Sequence, residues 1–134
     1  MKILIVDDEA PARNLLRLFL SHHPDCEIVG EATNGLEGYE LAQKHQPDLI
    51  FLDIQMPKAN GFEMLDLLEN PPCVIIATAY DQHAVRAFEK NAVDYLLKPF
   101  SRERLAESLD RVRERLKKQH ENHERTESPE RNLI

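Results

Sequence analysis

Residues 48–57 read DLIFLDIQMP. Leu49, Ile50, Phe51 and Leu52 run without a polar interruption and stop at Asp53, the pattern of a strand buried on both faces that ends in a polar loop. Such strands belong to parallel sheets covered by helices, and the pattern returns on either side. KILIV at residues 2–6 ends in Asp7-Asp8-Glu9, and residues 27–31, 74–77 and 94–97 read as further strands. Helical periodicities separate them. Pro11 opens one that carries Leu15, Leu16, Leu18, Phe19 and Leu20 to His22-His23-Pro24; Leu36, Tyr39, Leu41 and Ala42 mark the next, before Pro47; Phe62, Leu65, Leu67 and Leu68 mark a third, stopped by Pro71-Pro72. Asn34-Gly35 and Asn60-Gly61 read as turns. Asp81 is expected to cap a fourth helix with Val85 and Phe88 on its inner face, and Ser101 to cap a fifth. Five βα units predict an α/β fold, a parallel sheet with helices on both faces.

In the last helix Leu105, Leu109, Val112 and Leu116 form one narrow stripe, with Glu107-Arg111 and Glu114-Lys118 as i,i+4 pairs on the wet side. Two heptads, followed by Gln119 and His123 in the seam, predict packing on the sheet rather than a coiled coil. From Lys117 onward KKQHENHERTESPERNLI has no apolar residue before its last two, which predicts a domain over residues 1–118 and a polar linker or disordered tail over 119–134.

The 134 residues suit one domain, and 42% hydrophobic composition suffices for a core. The net charge of −7 argues against direct binding of nucleic acid or an anionic membrane. No apolar run approaches the ~18 residues of a membrane span, and Met1 leads straight into a strand without a secretion signal, so a cytoplasmic location is expected. Cys26 and Cys73 stand alone in apolar stretches and read as reduced thiols. His22-His23 at a helix end and His120-x-x-His123 in the tail read as solvated rather than metal-binding.

Ligands of open α/β sheets bind at the carboxyl ends of the strands, near the point where strand order reverses. The strand-end residues here are Asp7 and Asp8, Asp53, Thr78 and Lys98. Each has an ordinary explanation alone; together they make a crevice of three carboxylates, a hydroxyl and an ammonium. Carboxylates about 4 Å apart repel by about 4 kcal/mol per pair at an effective dielectric near 20, so they call for a cation. Oxygen ligands without a nearby Cys or His suit Mg²⁺ rather than zinc or copper. In such a site one carboxylate oxygen attacks an incoming phosphoryl group while Mg²⁺ and Lys98 balance its charge, and Thr78 donates a hydrogen bond to the product.

The sequence resembles the receiver domain of two-component response regulators over residues 1–118: ILIVDDE at residues 3–9, DLIFLDIQMP, Thr78-Ala79, and DYLLKPF at residues 94–100. TAYDQHAVRAFEKNAVDYLLKPF at residues 78–100 is further similar to receivers attached to LytTR-type DNA-binding domains. The resemblance implies a flavodoxin-like, doubly wound five-stranded parallel sheet of order 2-1-3-4-5 with five helices. It implies Asp53 as the phosphoacceptor, charged by a histidine kinase, and Mg²⁺ held by Asp8, Asp53, the backbone carbonyl of Gln55 and, directly or through water, Asp7. Lys98 would pair with the phosphoryl group and Thr78 would bond it. Tyr95 would be the aromatic that turns inward with Thr78, and Pro99 would follow a cis peptide. The Gln55 side chain would tune dephosphorylation. The surface of the fourth helix, fifth strand and fifth helix would then form a homodimer, with DNA engaged through an output domain outside this chain. By this reading the domain is a signalling phosphoacceptor and not a turnover enzyme.

Two other classes use similar parts. Phosphotransferases and hydrolases of the haloacid dehalogenase type combine a strand-end Asp with Mg²⁺, Thr and Lys, yet need an acid two residues after the nucleophile. Asp53-Ile54-Gln55 does not supply one, and the chain has no room for a substrate cap. A flavodoxin-type flavin domain expects a phosphate loop after the first strand, where Asp7-Asp8-Glu9 would repel the phosphate.

Overall fold

The computed structural model describes residues 1–56 and 60–127, the last six of these by backbone alone. Pro57, at the end of DLIFLDIQMP, and residues 128–134 of the expected tail lie outside the described residues. The chain alternates β1 (Lys2–Val6), α1 (Ala10–Leu20), β2 (Glu27–Ala32), α2 (Gly35–His45), β3 (Leu49–Leu52), α3 (Gly61–Leu67), β4 (Cys73–Thr78), α4 (Ala84–Glu89), β5 (Asp94–Leu97) and α5 (Arg102–Glu127). All strand pairings are parallel, and the sheet order is β2-β1-β3-β4-β5, as expected.

The continuous apolar runs pack two cores because successive strand residues point to opposite faces. Ile3, Ile5, Leu49, Phe51 and Ile75 face one layer, closed by Leu16 and Leu20 of α1 and by Leu105, Leu109 and Val112 of α5. Leu4, Val6, Ile50, Leu52, Val74 and Ile76 face the other, closed by Ala42 of α2, Phe62, Met64 and Leu65 of α3, and Ala87 of α4. At roughly 1.5 to 3 kcal/mol per fully buried aliphatic side chain, Leu105, Leu109 and Val112 are a main contribution to holding α5 on the sheet. No helix among the described residues is long and apolar enough to cross a membrane.

Several local expectations change. Asn34 and Asn60 are helix N-caps rather than turn residues: their side chains accept from the backbone N–H of Glu37 at 2.8 Å and Glu63 at 3.0 Å. Gly61 follows because a Cβ there would lie 3.0 Å from the Asp53 carbonyl oxygen and the Ile54 Cα. Ser101 caps α5 as expected, accepting from Arg104 N–H at 3.0 Å. Helix α4 departs most: Asp81 does not cap it, His83 stands at its N-cap, and Val85 and Phe88 are 72% and 83% exposed rather than inward. A six-residue helix turns only one stripe to the sheet, and here Ala87 occupies it.

The expected polar tail also differs. The apolar stripe ends at the half-buried Leu116, but the backbone of α5 stays helical to Glu127. Packed turns nucleate the helix, and Lys, Gln, Glu and Arg propagate it at little cost. Arg111, expected to pair with Glu107, instead reaches Asp94 at 2.9 Å.

Candidate functional site

The chain leaves β1 toward β2 on one side of the sheet and returns past it to β3 on the other. Strand order therefore reverses between β1 and β3, and the loops after these strands part to form a crevice. Asp7, Asp8 and Asp53 stand there because each directly follows, or nearly follows, a strand whose apolar run has ended. Backbone bonds fix the two rims, from Asp53 N–H to the Val6 carbonyl at 2.9 Å and from Asp7 N–H to the Ala32 carbonyl at 3.0 Å.

Carboxylate oxygens of Asp7, Asp8, Glu9 and Asp53 all lie within 4.8 Å of one another, with Asp7 and Asp53 buried and Asp8 and Glu9 exposed. Lys98, from the end of β5, spans them: its Nζ donates to Asp7 Oδ2 at 2.6 Å and to Asp53 Oδ2 at 3.0 Å. Burial alone would push the Lys98 ammonium down, but its hydrogen bonds to Asp7 and Asp53 outweigh this and hold it above the ordinary lysine value. Among the described residues, four carboxylates outnumber the Lys98 ammonium and the neighbouring Arg13 guanidinium and leave a net negative crevice of hard oxygen donors, a set that fits Mg²⁺.

Short bonds within the loops orient the acids. Glu9 N–H donates to Asp7 Oδ1 at 2.9 Å, Gln55 N–H donates to Asp53 Oδ1 at 3.0 Å, and the Arg13 guanidinium donates to the Asp7 carbonyl at 2.9 Å. The other expected residues flank the crevice. Thr78 is fully buried at the end of β4, its Oγ1 accepting from Tyr80 N–H at 3.4 Å and its carbonyl from Lys98 N–H at 2.8 Å. Lys98-Pro99 is cis, as expected. Tyr95 is half-buried on β5, and its hydroxyl donates to the Tyr80 carbonyl.

At the head of the same strand Asp94 accepts hydrogen bonds from the two terminal guanidinium nitrogens of Arg104, at 2.7 and 2.8 Å, and one from the Ser108 hydroxyl. Burial would raise this acid, yet the bonds from Arg104 and Ser108 prevail and lower it to about 2. This cluster ties β5 to α5 and holds the strand that delivers Lys98.

Two residues escaped the reading of strand ends. Glu9 adds a fourth carboxylate, and its place directly after Asp8 is a signal that the sequence carries. His83 is different: its Nε2 lies 3.1 Å from the Gln55 side-chain amide nitrogen, across 28 residues and without any spacing that could announce it.

The response regulator receiver domain family matches residues 3–110. The transcriptional regulatory protein BtsR of Escherichia coli (strain K12) is 49% identical over 121 residues, which cover 89% of this chain and 51% of that protein. The sensory transduction protein LytT of Bacillus anthracis is 44% identical over 122 residues, covering 89% and 50%. The chain thus spans about half the length of the curated relatives it matches. Among solved structures, the response regulatory domain of protein mrkE from Klebsiella pneumoniae superposes with a TM-score of 0.81 at 34% identity, covering 88% of this chain and 99% of that one. The REC domain of AraT, a response regulator from Geobacillus stearothermophilus, gives 0.79 at 36% identity, covering 89% and 97%.

Proposed function

This chain belongs to the response regulator receiver domain family, and from that membership we propose that it accepts a phosphoryl group on Asp53 from a histidine kinase. The observation that carries the reading is Lys98 Nζ bonded to both Asp7 and Asp53 beside the exposed Asp8. An Asp53 oxygen attacks phosphorus, the bond from phosphorus to the donor's imidazole nitrogen breaks, and the buried carboxylate becomes an acyl phosphate. Lys98 then balances equatorial phosphoryl oxygens, and the Thr78 hydroxyl donates to one of them. Asp8, Asp53 and the Gln55 backbone carbonyl, with Asp7 directly or through water, would hold Mg²⁺, which supplies charge neutralisation at the transferred group. The domain remains a phosphoacceptor and not a turnover enzyme.

Phosphorylation adds roughly one negative charge at a fixed point. Thr78 follows it, Tyr95 turns inward behind Thr78, and the face of α4, β5 and α5 changes shape, a local contact biasing a two-state element. Val85, Phe88 and Leu97, at 72%, 83% and 47% exposed, give that face the apolar surface of a homodimer interface. The receiver occupies residues 1–118, and the chain beyond leads toward a LytTR-type DNA-binding output in a cytoplasmic transcription regulator. BtsR and LytT, described as a transcriptional regulatory and a sensory transduction protein, support this direction.

Incubation with acetyl phosphate and Mg²⁺ should add one phosphoryl group by intact mass in the native chain and none in Asp53→Ala; equal labelling of the variant refutes the assignment. Beryllofluoride should shift the chain toward a dimer in gel filtration, and an unchanged mass at high protein concentration refutes the switch.

A further inference from the structure

We infer that His83 is a positioning residue that holds the Gln55 amide at the mouth of the acidic crevice and thereby sets how fast the phosphoryl group is lost to water. The inference rests on the phosphoacceptor reading above and concerns the lifetime of its product.

Gln55 follows Asp53 by two residues, and its backbone N–H donates to Asp53 Oδ1 at 3.0 Å, so its side chain starts beside the acceptor oxygen. That side chain is exposed, and among the described residues the hydrogen-bonding contact given for its amide is with His83. The contact comes from the far side of the crevice, where His83 Nε2 stands 3.1 Å from the amide nitrogen. The imidazole is itself held. Its ring packs at 6.1 Å from the buried Phe62 and edge-on at 6.4 Å from Tyr80, and its backbone is the N-cap of α4. Arg86 lies 4.4 Å over the opposite partner, Phe62, which fixes that ring in turn. A mobile amide is thus fastened to a packed ring.

The chemistry gives the fastening a purpose. With the proton on Nδ1, imidazole Nε2 accepts from the amide N–H, and Gln55 Oε1 is left to accept from a water. A glutamine carbonyl so placed orients an attacking water toward phosphorus, as in phosphoryl hydrolysis elsewhere. The water oxygen forms the new bond to phosphorus, and the bond from phosphorus to the Asp53 carboxylate oxygen breaks. The carboxylate leaves as an anion, and both water protons depart with dihydrogen phosphate, so no outside acid or co-reactant is required.

Releasing the amide dilutes the productive conformer. Three staggered wells at each of χ1 and χ2 make about nine arrangements, so dephosphorylation should slow by up to about ninefold. The full chain, loaded from labelled acetyl phosphate with Mg²⁺ and desalted, reports this as the first-order loss of label. His83→Phe keeps the ring packing and removes the polar atom; it should lose label as slowly as Gln55→Ala. His83→Gln restores a polar atom near the Nε2 position and should return to within about twofold of the native rate. The double variant His83→Phe/Gln55→Ala should be no slower than Gln55→Ala, because both changes remove one interaction. Native-rate loss in His83→Phe, a His83→Gln variant as slow as His83→Phe, or an undiminished His83→Phe effect in the Gln55→Ala background would each overturn the inference. A native chain that takes up no label overturns the phosphoacceptor reading first and this one with it, whereas uptake with indifference to His83 overturns this one alone.

Discussion

Replacing Lys98 with Met keeps most of the side-chain stem and removes the only ammonium that the described structure places between Asp7 and Asp53. Those two carboxylates have side chains only 3% and 6% exposed. At an effective dielectric near 20, contacts of 2.6 and 3.0 Å correspond to gross attractions of about 6 and 5.5 kcal/mol, set against a repulsion of at least about 3.5 kcal/mol between acids no more than 4.8 Å apart. Part of the attraction only offsets the desolvation of the ammonium, so the net loss should match that of breaking a buried pair, about 3 to 5 kcal/mol. For a domain of this size that is a fall in Tm of about 12 to 20 °C in EDTA. Mg²⁺ in excess should then recover more stability in Lys98→Met than in the native chain, because the variant presents the same acids without the Lys98 ammonium; a hundredfold excess over the dissociation constant corresponds to about 2.7 kcal/mol. Thermal melts of both proteins in EDTA and across a Mg²⁺ series measure this. A variant that melts within about 4 °C of the native chain, with no greater response to Mg²⁺, refutes the view that Lys98 compensates the buried acids.

Other consequences concern stability and the outer face. Asp94 is lowered from 3.8 to about 2, so its contribution is fully present above pH 4 and is lost as pH falls toward 2; the difference is worth roughly 2 kcal/mol, and Asp94→Asn should flatten that part of the acid unfolding curve. Lys98 runs the other way. Its raised value stabilises the fold below the ordinary lysine value of 10.5 and ceases to do so as pH rises beyond it, a limb that urea titration in alkaline buffers should show in the native chain and not in Lys98→Met. Gly61→Ala, a substitution that ordinarily favours a helix, should cost about 1 to 3 kcal/mol in chemical denaturation and slow phosphoryl uptake, because the added methyl presses on the Asp53 carbonyl at 3.0 Å. Phe88→Asp should leave the melting temperature nearly unchanged and abolish the dimer formed with beryllofluoride, since Phe88 is 83% exposed; a dimer that survives places the interface elsewhere.

Much of this was legible in the amino-acid order. LIFL before Asp53 and KILIV before Asp7-Asp8 announce buried parallel strands because such runs are short, apolar throughout, bounded by polar residues and repeated between helical periodicities, and a strand that must end exposes whatever polar residue follows it. The strands, their order by family likeness, and the acids at their ends are therefore carried by local composition. What composition does not carry is contact across distance. Whether Val85 and Phe88 face the sheet depends on how a six-residue helix lies upon it, and packing gave that stripe to Ala87. Nor does the polar run after Leu116 disclose that turns already packed below it would hold it helical to Glu127. The meeting of Lys98 with Asp7 across 91 residues, and of His83 with Gln55 across 28, exists only because the sheet brings five loop ends to one rim. Local patterns set which residues must be buried or displayed; only the closed tertiary packing sets which displayed groups touch, since that depends on the summed geometry of every element between them.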